Sequence, residues 1–153
     1  MTARKHAARI LFFVFLTVLV PAAAGAAQPV PETVATASAD YIGIIRAVDS
    51  YFEAGRKGDS AYMKQVFLPE ANIYGTSEGK VIGGPIQLLY DMVDGKPSPT
   101  EIVYEVASVD IAGNIATVRL EIADWAGNAY TDMFTMIKDG DDWKIASKVS
   151  RRP

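Results

Sequence analysis

The chain has 153 residues and a net charge near −3, with 15 Lys and Arg against 18 Asp and Glu, no cysteine and one histidine. No basic block is present, which excludes the electrostatic footprint of a nucleic-acid binder. The single histidine is His6, at the very start. Beyond it there is neither His nor Cys, which removes Ser-His and Cys-His nucleophile systems and ordinary zinc or copper ligation. Acid–base work then falls to Asp, Glu, Tyr or Lys, and no metal or cofactor is expected.

In chain order, Arg4, Lys5 and Arg9 precede an almost unbroken apolar run from Ile10 to Val20, followed by Pro21 and small residues. This is the layout of a secretory signal peptide over residues 1–27, with a cleavage site of the A-x-A kind at Ala24-Gly25-Ala26. The run is far shorter than the roughly 20 residues that span a bilayer, so no stable membrane insertion is expected after cleavage. The chain is therefore expected to be exported, to the periplasm or beyond. Losing Arg4, Lys5 and Arg9 leaves twelve basic against 18 acidic residues, a net charge of −6. Residues 28–38, rich in Pro, Ala, Thr and Ser, read as a flexible lead-in to one domain over 39–153.

The domain opens with a helix. Tyr41, Ile44, Ile45, Val48, Phe52 and Gly55 recur at spacings of three and four, with Ser38 or Asp40 as N-cap candidates. Asp59 is placed to cap a short second helix reaching Phe67. "LPEANIYGTSEGKVIGG" reads as two strands about a turn, and Pro85 suits the first position of a third helix stopped by Asp94-Gly95. Four extended segments follow, "EIVYEVASVDIAG", "NIATVRLEIADWAG", "NAYTDMFTMIKDG" and "DDWKIASKVSRR", joined by Gly-containing turns. They predict an antiparallel meander and an α+β domain whose sheet buries one face against the helices.

Three passages carry a resemblance: the helix ending "YFEAGRKGD", the "FLPEANIYG" passage and the closing "YTDMFTMIKDGDDWKIASKV". They resemble the nuclear transport factor 2-like superfamily, which includes steroid isomerases, dehydratases and polyketide cyclases of the SnoaL-like kind. The "GKPSP" loop and "WKIASKV" ending are most similar to its lumazine-binding branch. The resemblance spans about Ala39 to Val149. It implies a cone-shaped, strongly curved, mostly antiparallel sheet wrapped around the N-terminal helices, a pocket in the open end of the cone, and often a dimer. In the steroid isomerases a helical tyrosine and a protonated late-strand aspartate form an oxyanion hole, and an early-strand aspartate is the base. The tyrosine position matches Tyr51 and the late aspartate matches Asp132. The base position falls on or beside Gly75, where no carboxylate stands.

Read from the residues alone, Asp132 shares a strand face with Tyr130, Phe134 and Met136, so it is either a buried group with a task or the satisfied partner of a neighbour. Tyr51 either donates into a site or packs as core. Asp124 continues the face of Ala116, Val118, Leu120 and Ile122, and is a weaker candidate for base or ligand contact against a turn role. Tyr74, Tyr90, Tyr104, Trp125 and Phe134 are candidate lining for a small apolar or aromatic ligand. Trp143 is expected to face inward with Ile145 and Val149, which puts Lys148 on the solvated face. "KDGDD" lacks the ligand spacing of a calcium loop and reads as a hairpin turn.

Two functions fit: a module that binds a small molecule, or a cofactor-free isomerase, dehydratase or lyase using Asp132 and Tyr51. A dimerisation or accessory domain without a pocket is a weaker third. Apolar residues on both faces of the strand at Met133 to Ile137 point to a homodimer through the outer sheet face.

Overall fold

In the computed structural model, residues 32–77 and 79–152 are described. The expected signal peptide and the first residues of the lead-in lie outside them. Helix α1 runs Glu32–Lys57, α2 Ala61–Lys64 and α3 Gln87–Val93, with strands β1 Phe67–Ser77, β2 Lys80–Pro85, β3 Val103–Ala112, β4 Ile115–Trp125, β5 Asn128–Asp139 and β6 Asp142–Arg151. The six strands form one curved, open sheet in the order β2-β1-β6-β5-β4-β3. Only the β1–β6 pairing is parallel. The α+β cone and the meander stand as expected.

Helix α1 lies in the concavity because its inward stripe is apolar: Ile44, Ala47, Val48, Tyr51, Phe52 and Ala54 are all buried. Against it stand Val118, Leu120 and Ile122 from β4, Phe134 and Met136 from β5, and Trp143 and Ile145 from β6. Gly55 lets the helix approach the sheet, since a Cβ there would stand 2.3 Å from the Trp125 ring.

Three boundaries differ from expectation. Helix α1 is described from Glu32 onward, so it takes in residues 32–38 of the expected lead-in, and Ser38 and Asp40 fall inside it rather than at its cap. Helix α2 is a single turn, and Phe67 belongs to β1. Its start is held by Asp59, which accepts from the Ala61 N–H at 2.9 Å, and by Asp94, which accepts from the Ser60 N–H and hydroxyl. Pro85 ends β2 rather than opening α3, because the Ile86 N–H still donates to the Ala71 carbonyl at 2.8 Å.

The β6 strand carries the irregularity that matters most for function. Thr135 pairs with Ser147, but the next residue, Met136, pairs with Ile145, so Ala146 is an extra residue on β6. Such a bulge reverses which side chains point inward beyond it. Trp143 and Ile145 face the core before the bulge; Lys148 is buried after it and Val149 is 47% exposed. The expectation that Val149 faces inward and Lys148 is solvated is thereby corrected.

Candidate functional site

Tyr51 and Asp132 meet. The Tyr51 hydroxyl, on the inner face of α1, donates to Asp132 Oδ2 of β5 at 2.8 Å, and both residues are buried. Beyond the bulge, β6 brings in two more partners. Lys148 Nζ stands 3.1 Å from Asp132 Oδ1, and the Ser150 hydroxyl donates to the same oxygen. Lys148 also donates to Ser150 and lies over the Tyr51 ring, 5.9 Å from its centroid. β5 and β6 pair Asp132 with Ser150 directly, so the cluster follows from strand register.

Asp132 is thus met by two hydroxyl donors and one ammonium group, all within the cluster. Burial first, then the Asp132 charge and the hydrogen bond to it, push the Tyr51 hydroxyl well above the ordinary tyrosine value. It stays a proton donor at any physiological pH. Ring edges hold it in place: Phe52, Trp125 and Phe134 pack around Tyr51 at centroid distances of 5.0, 5.2 and 5.1 Å. No buried side-chain nitrogen or oxygen among the described residues lacks a partner.

The cluster opens into a cavity of about 810 Å³. Ile73, Ile122, Val93, Trp125 and Tyr130 wall it, and Tyr74, Ile82, Leu88 and Met92 stand at its more exposed apolar side. Asn128, Ala126 and Arg152 line it as well. The volume is that of a drug-sized ligand site, mostly apolar with a few convergent polar groups.

Of the residues singled out by sequence, Tyr51, Asp132, Tyr74 and Trp125 line this cavity, and the others do not. Phe134 is fully buried beneath Tyr51 as core. Tyr90 is buried on α3 with the Lys64 ammonium 5.2 Å from its ring, and burial raises its hydroxyl above the ordinary value. Tyr104 stacks on Phe52 at 3.6 Å, donates to Asp49 at 2.9 Å and lines a second, smaller cavity. Asp124 serves its turn: Oδ1 accepts from the Gly127 N–H at 2.7 Å and from the Thr100 hydroxyl at 3.3 Å. The two-residue turn has positive φ at both Ala126 and Gly127, the mirror-image geometry that suits a hairpin and that the Asp124 contact supports. Lys148, expected on the solvated face, lines the cavity, together with Ser150, Asn128 and Arg152, which the sequence did not single out. The signal that places Lys148 and Ser150 is the bulge at Ala146, which has no one-dimensional signature.

Gly75 also lines the cavity, and a Cβ there would stand 3.2 Å from the Ser150 carbonyl oxygen. Asp132 is the one carboxylate among the lining residues described. No group of three or more candidate ligand residues suited to a metal ion stands among the described residues.

The family described as "Putative lumazine-binding" matches residues 39–151. A curated relative named aldolase FrzH, from Cladobotryum sp, is 32% identical over 113 residues, covering 73% of this chain and 90% of that protein. A nuclear transport factor 2-like protein of unknown function from Shewanella baltica is 35% identical with a TM-score of 0.70, covering 74% of this chain and 94% of that one. A second such structure, from Silicibacter pomeroyi, is 27% identical with a TM-score of 0.66, covering 76% and 98%.

Proposed function

Because the chain belongs to the nuclear transport factor 2-like superfamily, in its lumazine-binding branch, we propose that it binds a small, largely apolar or aromatic molecule. The ligand's oxygen is held at the inner end of the pocket by Tyr51, Lys148 and Ser150 around Asp132. The observation that carries this reading is a buried Asp–Lys pair with two hydroxyl partners opening into an otherwise apolar cavity of ligand size. A buried ion pair gives little net stability, since desolvating the charges offsets most of their attraction. Its place against a cavity is better explained by use. Calorimetric titration with 2-naphthol, a planar apolar molecule with one hydroxyl, tests it: the expected result is binding that Tyr51→Phe weakens about 10-fold, a loss of roughly 1.4 kcal/mol. Binding that ignores the substitution counts against the site.

A second reading is a cofactor-free isomerase, dehydratase or lyase in which Tyr51 and its neighbours stabilise an enolate-like oxygen. The aldolase name of the 32% identical relative favours it. With Gly75 at the position of the isomerase base, Asp132 is the lining carboxylate left to carry a proton from carbon. Hydrogen–deuterium exchange at the α-carbon of 2-tetralone, an enolisable ketone of suitable size, should then be accelerated by the protein and abolished by Asp132→Asn. Exchange at the buffer rate leaves binding alone.

Export and self-association are part of the same proposal. The leader-like opening supports export, and an intact Met1 in membrane fractions would contradict it. Met133, Val149, Ile115 and Ile137, on the outer sheet face, are 44%, 47%, 52% and 36% exposed, which supports a homodimer through that face. Sedimentation as monomer alone at micromolar concentration contradicts this.

A further inference from the structure

The charges around the cavity do not cancel, and their arrangement specifies more of the ligand. Three charged side chains line it: Asp132, Lys148 and Arg152. Asp132 and Lys148 neutralise each other at 3.1 Å, so the inner cluster offers hydrogen bonds without net charge. Arg152 has no carboxylate in ion-pair reach among the described residues; its guanidinium donates to the Asn128 side-chain oxygen, which also lines the cavity. Among the described residues, the uncompensated charge lining the cavity is therefore a cation, in a chain whose net charge is negative.

Geometry sets this cation apart from the inner cluster. Beyond the Ala146 bulge, residues 148, 150 and 152 share one parity, and all three line the cavity. At roughly 3.3 Å per residue, the Cα of Arg152 lies about 13 Å along the chain from that of Lys148. Lys148 is buried and Arg152 exposed, so the row runs from the closed end of the pocket to its mouth. Of the other exposed lining residues, Tyr74, Ile82, Leu88 and Met92 are large and mainly apolar, and Thr76, Gly83 and Ala126 are small. The exposed part of the lining thus offers large apolar side chains and one cationic group. An apolar body lying against the former leaves an anionic group beside the latter.

Resting on the binding reading above, we infer that the natural ligand is an apolar anion, of the aryl or alicyclic carboxylate class. Its carboxylate is seated at Arg152 and Asn128 in the mouth, and its neutral oxygen at the Tyr51–Lys148–Ser150 cluster. The forked guanidinium matches a carboxylate in two parallel hydrogen bonds, and Asn128 orients the fork.

Two probes separate this inference from the reading beneath it. 2-Naphthol carries the inner oxygen alone, and 6-hydroxy-2-naphthoate carries both groups. The full-length chain should bind the naphthoate about 10-fold more tightly than the naphthol, and Arg152→Gln should remove that preference while leaving naphthol affinity within about 2-fold. Equal affinity for the two probes in the unaltered protein, or a preference that survives Arg152→Gln, overturns the anionic ligand and leaves the pocket standing. Binding of neither probe overturns the pocket reading and this inference with it.

Discussion

Two places on helix α1 are built from the same parts and stand in different surroundings. Asp40, near the start of the described side chains, accepts from Lys138 Nζ at 2.6 Å and from the Trp143 indole N–H at 3.2 Å. Eleven residues on, three turns along the same helix face, Tyr51 donates to Asp132, which also takes Lys148. Each site joins α1 to β5 and β6 through an aspartate, a lysine and an aromatic donor. The first lines neither the large cavity nor the smaller one beside Tyr104; the second opens into about 810 Å³. The carboxylate–lysine–aromatic set is therefore no mark of function by itself. Access for a ligand distinguishes the two, and the bulge at Ala146 creates the difference by turning Lys148 and Ser150 inward.

The comparison breaks most severely at Lys148. Lys148→Met leaves Asp132 buried without its cation, which should cost about 3–5 kcal/mol in denaturant unfolding and abolish 2-naphthol binding. A stable Lys148→Met protein that still binds the probe would mean the pair is incidental.

Tyr51→Phe removes one hydrogen bond to a charged group and should cost about 1.5–3 kcal/mol, with ring packing kept. Its pH signature sharpens the contrast. The Tyr51 hydroxyl is raised by burial in the folded state, so the stability it contributes is complete below the unfolded tyrosine value near 10 and is lost as pH rises beyond it. Tyr51→Phe should flatten the alkaline limb of the stability curve.

Asp40 behaves in the opposite sense. The Lys138 hydrogen bond, with help from Trp143, holds its carboxyl below the ordinary aspartate value despite the opposing effect of desolvation. Its contribution is present above the unfolded value of about 3.9 and is lost as pH falls through the lower folded one. Asp40→Asn should lower the melting temperature at neutral pH, flatten the acid limb and leave ligand affinity unchanged. Altered affinity would deny the separation of the two sites. The smallest effect belongs to Asp124→Ala, which loosens the hairpin turn by about 1 kcal/mol or less and should leave affinity within 2-fold.

Much of the fold was legible because alternation and turn residues agree with each other along β3 to β6. The helix stripe from Ile44 to Phe52 is equally plain. Half of the polar cluster was legible too: Tyr51 and Asp132 stood out as polar groups among apolar neighbours, and the resemblance paired them. Lys148 was not, because strict alternation from Trp143 assigns it to the outer face, and one extra residue at Ala146 reverses that assignment. Phe134 and Tyr90 are buried, while Tyr104 lines a smaller cavity than the one at Tyr51, for a related reason. Composition marks an aromatic ring as apolar, but only packing decides whether it walls a cavity or fills the core. Arg152 carries no distinguishing signal in the sequence, and only the fold sets it beside Asn128 at the cavity.

The claim that the Tyr51 end is the ligand site and the Asp40 end is structural is tested most directly by NMR of the unaltered protein titrated with 2-naphthol. The account predicts saturable shifts at Trp125, Tyr130, Asp132, Lys148 and Ser150, with the Trp143 indole N–H unmoved. Shifts centred on Trp143, Lys138 and Asp40, or no saturable shifts at the Tyr51 end, would contradict it.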